Sequence, residues 1–191
     1  MSRVLYGSLA SPFVRRIRLL LENIDYELRE VDVLKPDTRA LFAAITPIRK
    51  MPVLDDHGQR IFDSHTIQLH LSRTLGLPDL SIDQYNQISV IDAVCDSLVV
   101  LLMGKRSDLP VQEDRLMFTL QRERITDSLA WLEETARTGA FDDWHYPTIC
   151  LICLYDWARF RQLLDFNTYP ALQAAVNRFA ERPSVVATQP V

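Results

Sequence analysis

The stretch SLASPFVRRIR, residues 8–18, marks the place where a strand ends and a helix begins. An apolar segment at residues 4–6 precedes it, and apolar residues at helical spacing continue beyond it. Ser11 and Pro12 are preferred at the N-cap and at the first position of a helix. Ser11 is therefore predicted at a helix N-terminus, where backbone N–H groups favour an anion, including a thiolate. A capped helix without a ligand explains the same pattern.

The composition is that of an ordinary globular protein. Of the 191 residues, 48% are hydrophobic and 24% are charged, and the formal net charge is -4. The acidic balance argues against a general nucleic-acid partner, and the apolar run at residues 98–103 is too short to span a bilayer. No signal peptide is recognisable. The three cysteines do not look like a disulfide framework, so a reducing cytoplasm is predicted.

Strand and helix patterns alternate up to residue 76, and helical patterns alone follow. Strands are predicted at residues 3–7, 26–33, 50–54 and 60–62. Helices are predicted at residues 12–23 and 37–44, after Asp63-Ser64, and at 84–104, 112–137, 148–164 and 169–180, with an irregular tail at 182–191. The helix at 148–164 is apolar nearly all round and is expected to be central. This order predicts an α/β domain at 1–76, a linker at 77–83 and an all-helical domain at 84–191.

Three further motifs accompany the 8–18 stretch. KMPVL, residues 50–54, carries a proline at the start of the third strand, and Asp63-Ser64 is a cap signal for the third helix. The helical part ends in YPAL, residues 169–172, and RPS, residues 182–184. In this order and spacing, the motifs resemble those of cytosolic glutathione S-transferases, in particular the bacterial serine-type members. The resemblance covers nearly the whole chain.

The resemblance implies a thioredoxin-like N-terminal domain, an α-helical C-terminal domain, a homodimer and glutathione as co-substrate. Ser11 stands at the catalytic position, where its hydroxyl and the helix N-terminus would favour the glutathione thiolate over the thiol. The implied glutathione-binding residues are Ser11, Phe13, Lys50, Met51, Pro52, Asp63 and Ser64. No metal site is predicted.

Each of these positions has an implied role. Pro52 is expected to follow a cis peptide bond, which turns the Met51 backbone toward the cysteinyl main chain of glutathione. Asp63 suits the γ-glutamyl ammonium group and Ser64 the γ-glutamyl carboxylate. Lys50 would approach the glycyl carboxylate or the peptide backbone, although a solvated surface lysine is an equal interpretation.

The helical domain supplies further candidates. Asp92 and Asp96 lie one turn apart on its first helix, and the resemblance implies that an acidic residue there can reach across the dimer to the γ-glutamyl amine. A solvated or structurally paired carboxylate is the alternative for each. A small hydrophobic electrophile is expected to bind between the domains against Leu9, Val99 and Met103.

Several features leave alternatives open. Tyr6 could supply the hydroxyl instead of Ser11, although a core position in the first strand is the preferred interpretation. Cys150 and Cys153 have redox-motif spacing, but they lie in an apolar helical run that predicts core packing. Three residues depart from the family pattern. Arg49 replaces the usual glycine, and His145 and Thr148 stand where the family has a capping box. Histidine is expected to be a poor N-cap, and threonine offers no carboxylate.

The resulting functional prediction is a transferase that binds glutathione, lowers the pKa of its thiol and conjugates it to a small electrophile. Two alternatives remain. One is a non-catalytic interaction or scaffold protein with the same fold. The other is an isomerase or dehalogenase that uses glutathione.

Overall fold

The computed structural model describes residues 3–191, which form one four-stranded sheet and eight helices. The first two residues of the predicted domain at 1–76 lie outside the described residues. The strands are β1 (Arg3–Gly7), β2 (Glu27–Glu30), β3 (Val53–Asp56) and β4 (Gln59–Phe62). The helices are α1 (Pro12–Leu20), α2 (Pro36–Ala43), α3 (Ser64–Leu75), α4 (Ile82–Arg106), α5 (Leu116–Arg137), α6 (Tyr146–Phe160), α7 (Pro170–Asn177) and α8 (Pro183–Ala187).

The sheet has the strand order β2-β1-β3-β4. β1 runs parallel to β2 through the crossover helix α1, whereas β3 is antiparallel to β1 and forms a hairpin with β4. At the centre of the sheet, Leu5 pairs with Leu28 on one side and with Leu54 on the other. This β-α-β unit, followed by a hairpin and a helix, confirms the predicted thioredoxin-like architecture.

Alternation along β1 builds a core on both faces of the sheet. Leu5 packs with Val14 and Ile17 of α1 on one face. Tyr6 belongs to a second cluster on the opposite face, together with Phe42 of α2. Full burial of such a side chain contributes about 1.5–3 kcal/mol, so the strand that precedes α1 also anchors it.

Gly7 permits a close approach between β1 and α1. A Cβ atom on Gly7 would lie 2.3 Å from Cγ2 of Val14. Because that separation is far inside van der Waals contact, a side chain at position 7 would displace α1 from the sheet. The close packing of the start of α1 on β1 therefore depends on glycine at position 7.

Helices α4 to α7 form the second part of the fold. α4 packs against α5 and α6, and α7 packs against α5. α6 is buried continuously from Tyr146 to Tyr155, which confirms the prediction of a central helix. Cys150 and Cys153 are fully buried on α6, in agreement with their predicted place in the core.

Helix α4 is long and apolar enough to cross a membrane by length and composition alone, and 44% of its apolar window is buried in the structure. The core helix of a globular protein meets the same criterion, because it buries apolar side chains against its neighbours. The packing of α4 against α5 and α6 is of that kind.

The chain divides into two compact units. The first unit runs to Asp79 and also includes Pro183–Val191, and the second unit spans Leu80–Arg182. The boundary between them falls within the predicted linker at 77–83. The C-terminal segment, residues 183–191, differs from the prediction, because it groups with the α/β unit instead of the helical domain.

The C-terminal segment is also not irregular, since it contains α8. Arg15 of α1 donates a hydrogen bond to the carbonyl oxygen of Val185 at 3.0 Å, and the Ser184 hydroxyl donates to Glu22 at 2.6 Å. These long-range contacts explain why it packs with the first unit. Its two prolines indicated irregular structure, but Pro183 stands at the first position of the short helix, where proline is well tolerated.

His145 is the N-cap of α6, contrary to the expectation of a poor cap. Its Nδ1 accepts a hydrogen bond from the Thr148 N–H at 3.3 Å. Its Nε2 lies 3.1 Å from the carbonyl oxygen of Ala140, to which an Nε2–H group can donate. The imidazole therefore accepts a capping hydrogen bond as a serine hydroxyl would. The contact between Nε2 and the Ala140 carbonyl oxygen orients the ring so that Nδ1 faces the helix.

Candidate functional site

Three of the predicted site stretches share one end of the sheet. β1 ends there and leads through residues 8–11 into α1. β3 is antiparallel to β1, so the preceding segment Met51-Pro52 lies at the same end. β4 is antiparallel to β3, so the following segment Asp63-Ser64 returns to it. The topology of the sheet thus gathers two helix N-termini and one loop in a single region.

Ser11 is the N-cap of α1. Its backbone is extended, with φ -85° and ψ 124°, and its Oγ accepts a hydrogen bond from the Val14 N–H at 3.3 Å. Pro12 occupies the first helical turn. Because a hydroxyl can accept and donate at the same time, Ser11 can keep its capping bond and direct its proton toward an anion.

The loop between β1 and α1 contacts Met51 directly. The Ser8 N–H donates to Sδ of Met51 at 3.2 Å. The Ser11 N–H donates in turn to the Ser8 carbonyl oxygen at 3.1 Å. The Met51–Pro52 peptide bond is cis, as the resemblance implies. Residues 43 positions apart in sequence are therefore adjacent in the site.

Asp63 and Ser64 lie at the N-terminus of α3. Asp63 is the N-cap, and its Oδ1 accepts a hydrogen bond from the His65 N–H at 2.9 Å. Its φ of 70° is a left-handed conformation that costs on the order of 1–3 kcal/mol for a non-glycine residue and is concentrated at ligand sites. Asp63 is exposed, whereas Ser64 is buried at the first helical position.

Basic side chains accompany these stretches. Arg49 and Lys50 precede Met51 and are exposed. Arg49 has a φ of 51°, a conformation that glycine adopts freely, which explains why a glycine is usual at this position. Phe13 is half-buried, and the Arg16 guanidinium lies 4.7 Å from the centroid of its ring. Positive charge therefore adjoins both Met51 and the first turn of α1.

Comparison with known proteins gives the family context. Residues 5–78 match the family model described as glutathione S-transferase, N-terminal domain. A GST-like protein of Escherichia coli, YibF, is 29% identical, and the alignment covers 97% of this chain and 98% of YibF. A probable maleylacetoacetate isomerase of Caenorhabditis elegans is 25% identical over 92% of this chain and 86% of its own length.

A solved glutathione transferase family member from Pseudomonas fluorescens, crystallised with bound glutathione, superimposes with a TM-score of 0.84. It is 25% identical, and the match covers 100% of both chains. The chain has the glutathione S-transferase fold. The family-model match covers residues 5–78, and the similarity to the Pseudomonas fluorescens structure extends over the whole chain.

Within the glutathione S-transferase fold, Tyr6 is placed away from Ser11. Its ring packs in the cluster with Phe42, on the sheet face opposite α1. Its hydroxyl oxygen accepts a hydrogen bond from Nη1 of Arg29 at 3.2 Å. This confirms the core interpretation of Tyr6, and it leaves Ser11 as the hydroxyl at the start of α1.

The predicted dimer-contact and electrophile-pocket residues lie on α4 and in the loop after β1. Asp92 is half-buried and Asp96 is exposed on α4, and Val99 and Met103 are half-buried on the same helix. All four belong to the second unit of the transferase fold, and their roles stay predictions. Leu9 is half-buried in the loop that contacts Met51, and its role stays a prediction as well.

Two features of the candidate site were missed from the sequence. One is the contact between Ser8 and Met51, which the antiparallel pairing of β1 with β3 would have indicated once the strands were aligned. The other is the burial of Arg15 and Arg16, which are 1% and 0% exposed. Within residues 3–191, no three His, Cys, Asp or Glu side chains are grouped to hold a metal ion.

Proposed function

We propose that this protein is a serine-type glutathione transferase that activates the thiol of glutathione and joins it to a small hydrophobic electrophile. One observation carries the proposal: the N-terminus of α1, the Met51-Pro52 segment and the N-terminus of α3 lie at the same end of the sheet. The similarity to a Pseudomonas fluorescens family member that binds glutathione supports the same assignment.

Glutathione would bind in an extended form along this end of the sheet. The Met51 backbone would pair with the cysteinyl main chain, as a further strand does. The Asp63 carboxylate would hold the γ-glutamyl ammonium group, and the buried start of α3 at Ser64 would hold the γ-glutamyl carboxylate. Lys50 would approach the glycyl carboxylate, and Phe13 would line the site beside Ser11.

The chemistry follows from the position of Ser11. A free thiol with a pKa of about 8.5 is mostly protonated at neutral pH. A hydrogen bond from the Ser11 hydroxyl and the positive end of α1 stabilise the thiolate, so the pKa falls and the proton leaves to solvent. The sulfur then attacks the electrophilic carbon, where a C–S bond forms as the leaving group departs or an adjacent atom takes up a proton. Ser11 forms no covalent bond.

The test is calorimetric titration with glutathione, followed by the ultraviolet absorbance of the bound thiolate as a function of pH. Wild-type protein should bind glutathione with a thiol pKa well below the free value. Ser11→Ala should bind with similar affinity and raise the pKa of the bound thiol by about one unit. Ser81→Ala, which removes the equivalent capping hydroxyl from α4, is the matched control and should leave the pKa unchanged.

Each result has a distinct meaning. An unchanged thiol pKa in Ser11→Ala would reduce Ser11 to a helix cap and contradict the proposed chemistry. A wild-type protein that binds glutathione without activating it would act as a sensor or carrier. A protein that does not bind glutathione would be better explained as a non-catalytic interaction protein.

A glutathione-dependent isomerase is a second candidate, favoured by the similarity to the probable maleylacetoacetate isomerase of Caenorhabditis elegans. The same thiolate would add to a conjugated double bond and leave again after rotation. Free thiol measured during turnover separates the two activities. A transferase consumes one glutathione for each product, whereas an isomerase acting on a maleyl-type substrate leaves the glutathione concentration constant.

We also propose a cytoplasmic homodimer. The exposed Trp131 on α5 offers apolar surface beyond what the packing of one chain covers. In such a dimer, Asp92 or Asp96 would extend toward the glutathione of the second subunit. Sedimentation velocity would give the assembly state, and a monomer at micromolar concentration would contradict this part of the proposal.

A further inference from the structure

Arg15 is a buried cation one helical turn after Ser11. The residue is 1% exposed. The backbone N–H of Arg15 donates a hydrogen bond to the Ser11 carbonyl oxygen at 3.0 Å. Arginine is rarely buried unless its donors are satisfied, because removing a guanidinium from water is costly. The groups that receive its hydrogen bonds therefore help to fix the turn of helix that begins at Ser11.

Two of those groups belong to the C-terminal segment. Nε of Arg15 donates to Oγ1 of Thr188 at 3.2 Å, across 173 residues of sequence. Nη2 of Arg15 donates to the carbonyl oxygen of Val185 at 3.0 Å. The Thr188 hydroxyl donates its own proton to the Ser184 carbonyl oxygen at 2.8 Å. A single threonine hydroxyl thus accepts from Arg15 and closes the end of α8.

A second contact holds the same segment at the far end of α1. The Ser184 hydroxyl donates to Oε2 of Glu22, one residue after the C-cap of α1, at 2.6 Å. Val185 is 3% exposed between these two anchors. Because α1 is packed on the sheet through Val14 and held by the C-terminal segment through Arg15, it is fixed on two sides.

We propose that the C-terminal segment positions Ser11, with Arg15 as the positioning residue that transmits its contact to the N-terminus of α1. This inference deepens the proposed function and rests on it for the role of Ser11. Arg15 does not touch the thiolate. It sets the rotation of the first turn of α1 about the helix axis and the position of that turn along the axis. These determine the direction in which the Ser11 hydroxyl donates.

The experiment compares Thr188→Val with Thr188→Ser. Valine keeps the shape of threonine but removes the acceptor of Arg15 Nε, whereas serine keeps the hydroxyl. Thr74→Val is the matched control, since the Thr74 hydroxyl makes a similar bond, to the His70 carbonyl oxygen, on α3 of the same unit. All three variants keep Arg15 and Ser11, so changes in the site arise through the contact alone.

The first measurement is amide hydrogen exchange in the ligand-free protein. In Thr188→Val, exchange at the Val14 and Arg15 amides should accelerate about tenfold, as expected for loss of a hydrogen bond to a charged donor. Thr188→Ser and Thr74→Val should exchange there as the wild type does. Unchanged exchange in Thr188→Val would overturn the proposal whether or not the protein binds glutathione.

The second measurement is the pKa of the glutathione thiol bound to each variant. Thr188→Val should raise this pKa by about half a unit, and Thr188→Ser should restore the wild-type value. Faster exchange without a change in thiol pKa would make the contact structural only and would overturn the positioning role. A wild-type protein with no activated thiolate would instead refute the proposed function, while the exchange result still decides whether the segment holds α1.

Discussion

The backbone N–H groups at helix N-termini are capped by local side chains at α1 and α3 of the first unit and, at α7 of the second unit, by a side chain from another helix. In the first unit, α1 and α3 are capped by Ser11 and Asp63, which each accept one backbone N–H and are half-buried or exposed. In the second unit, α7 receives no side-chain cap from its own N-cap residue. It is capped by Glu133 of α5, a residue only 5% exposed, which accepts hydrogen bonds from the N–H groups of Ala171 and Leu172 at 3.0 Å each.

We infer that this difference separates the proposed site from a structural contact. A carboxylate from another helix lies at the start of α7, where two N–H groups and the helix dipole favour an anion. The caps of α1 and α3 are short side chains of the N-cap residues themselves. In the proposed function, these two open N-termini also receive charged groups of glutathione.

The largest effect is expected at the filled N-terminus. Glu133→Ala should lower the free energy of unfolding by about 3 kcal/mol, because it leaves buried N–H groups of α7 without acceptors. Urea denaturation would measure this loss. Glu134→Ala, on the exposed side of the same helix, is the control and should change stability by less than about 0.5 kcal/mol. Comparable losses in both variants would contradict the capping role of Glu133.

The open N-terminus of α3 should respond in binding more than in stability. Asp63→Ala is expected to weaken glutathione binding at least about tenfold, the loss of a charge-assisted hydrogen bond. Its cost in stability should be about 1 kcal/mol, that of a helix cap. Isothermal calorimetry gives the affinity, and Asp37→Ala, in the first turn of α2, is the control. Equal affinity in Asp63→Ala and wild type would remove this residue from the site.

The N-terminus of α6 lies between these cases, because the imidazole of the half-buried His145 caps it. His145→Ala should lower the free energy of unfolding by about 1 kcal/mol, and His145→Asn should recover most of that loss by offering a side-chain acceptor again. Chemical denaturation of the two variants makes the comparison. If alanine and asparagine destabilise the protein equally, the hydrogen bond to the Thr148 N–H contributes little.

The smallest effect is expected at Glu27, which pairs with an arginine as Glu133 does with Arg137, but on the exposed surface. Its carboxylate accepts two hydrogen bonds from Arg29, at 2.7 and 3.1 Å, and the side-chain hydrogen bond lowers the pKa of Glu27. A carboxyl group whose pKa is lower in the folded state stabilises the fold above its unfolded pKa, and this contribution is lost as pH falls.

Urea midpoints of wild type and Glu27→Gln should therefore differ slightly at neutral pH and coincide in acid. The difference should also vanish in high salt, because both side chains are exposed and screened. A difference that persisted in acid would assign the effect of the substitution to something other than the charge on Glu27.

The contrast between local and distant contacts also explains what the sequence could predict. The caps Ser11 and Asp63 depend on residues within three positions of each other, so their pattern was sufficient. The caps that involve another element were missed or misjudged. His145 works as a cap because the Ala140 carbonyl oxygen orients its ring, and Glu133 caps a helix 38 residues away.

The same limit applies to α1. Its amphipathic pattern predicted the helix correctly, but Arg15 belongs to the buried side because the C-terminal segment returns to it, which periodicity cannot show. The cis bond before Pro52 followed from the resemblance to a family and not from the residues alone. The roles of Lys50, Phe13 and the α4 residues Asp92 and Asp96 remain predictions, since they depend on a ligand.

The return of the C-terminal segment to α1 has a consequence for synthesis on the ribosome. Chains emerge from the N-terminus, and domains generally fold as contiguous units in that order. Here the partners of Arg15 and Glu22 are translated after the entire helical unit. The strands and helices of the first unit can assemble early, but its packing around α1 is completed only once residues 183–188 have left the exit tunnel. The first unit therefore starts to be synthesised first, but its packing is completed last.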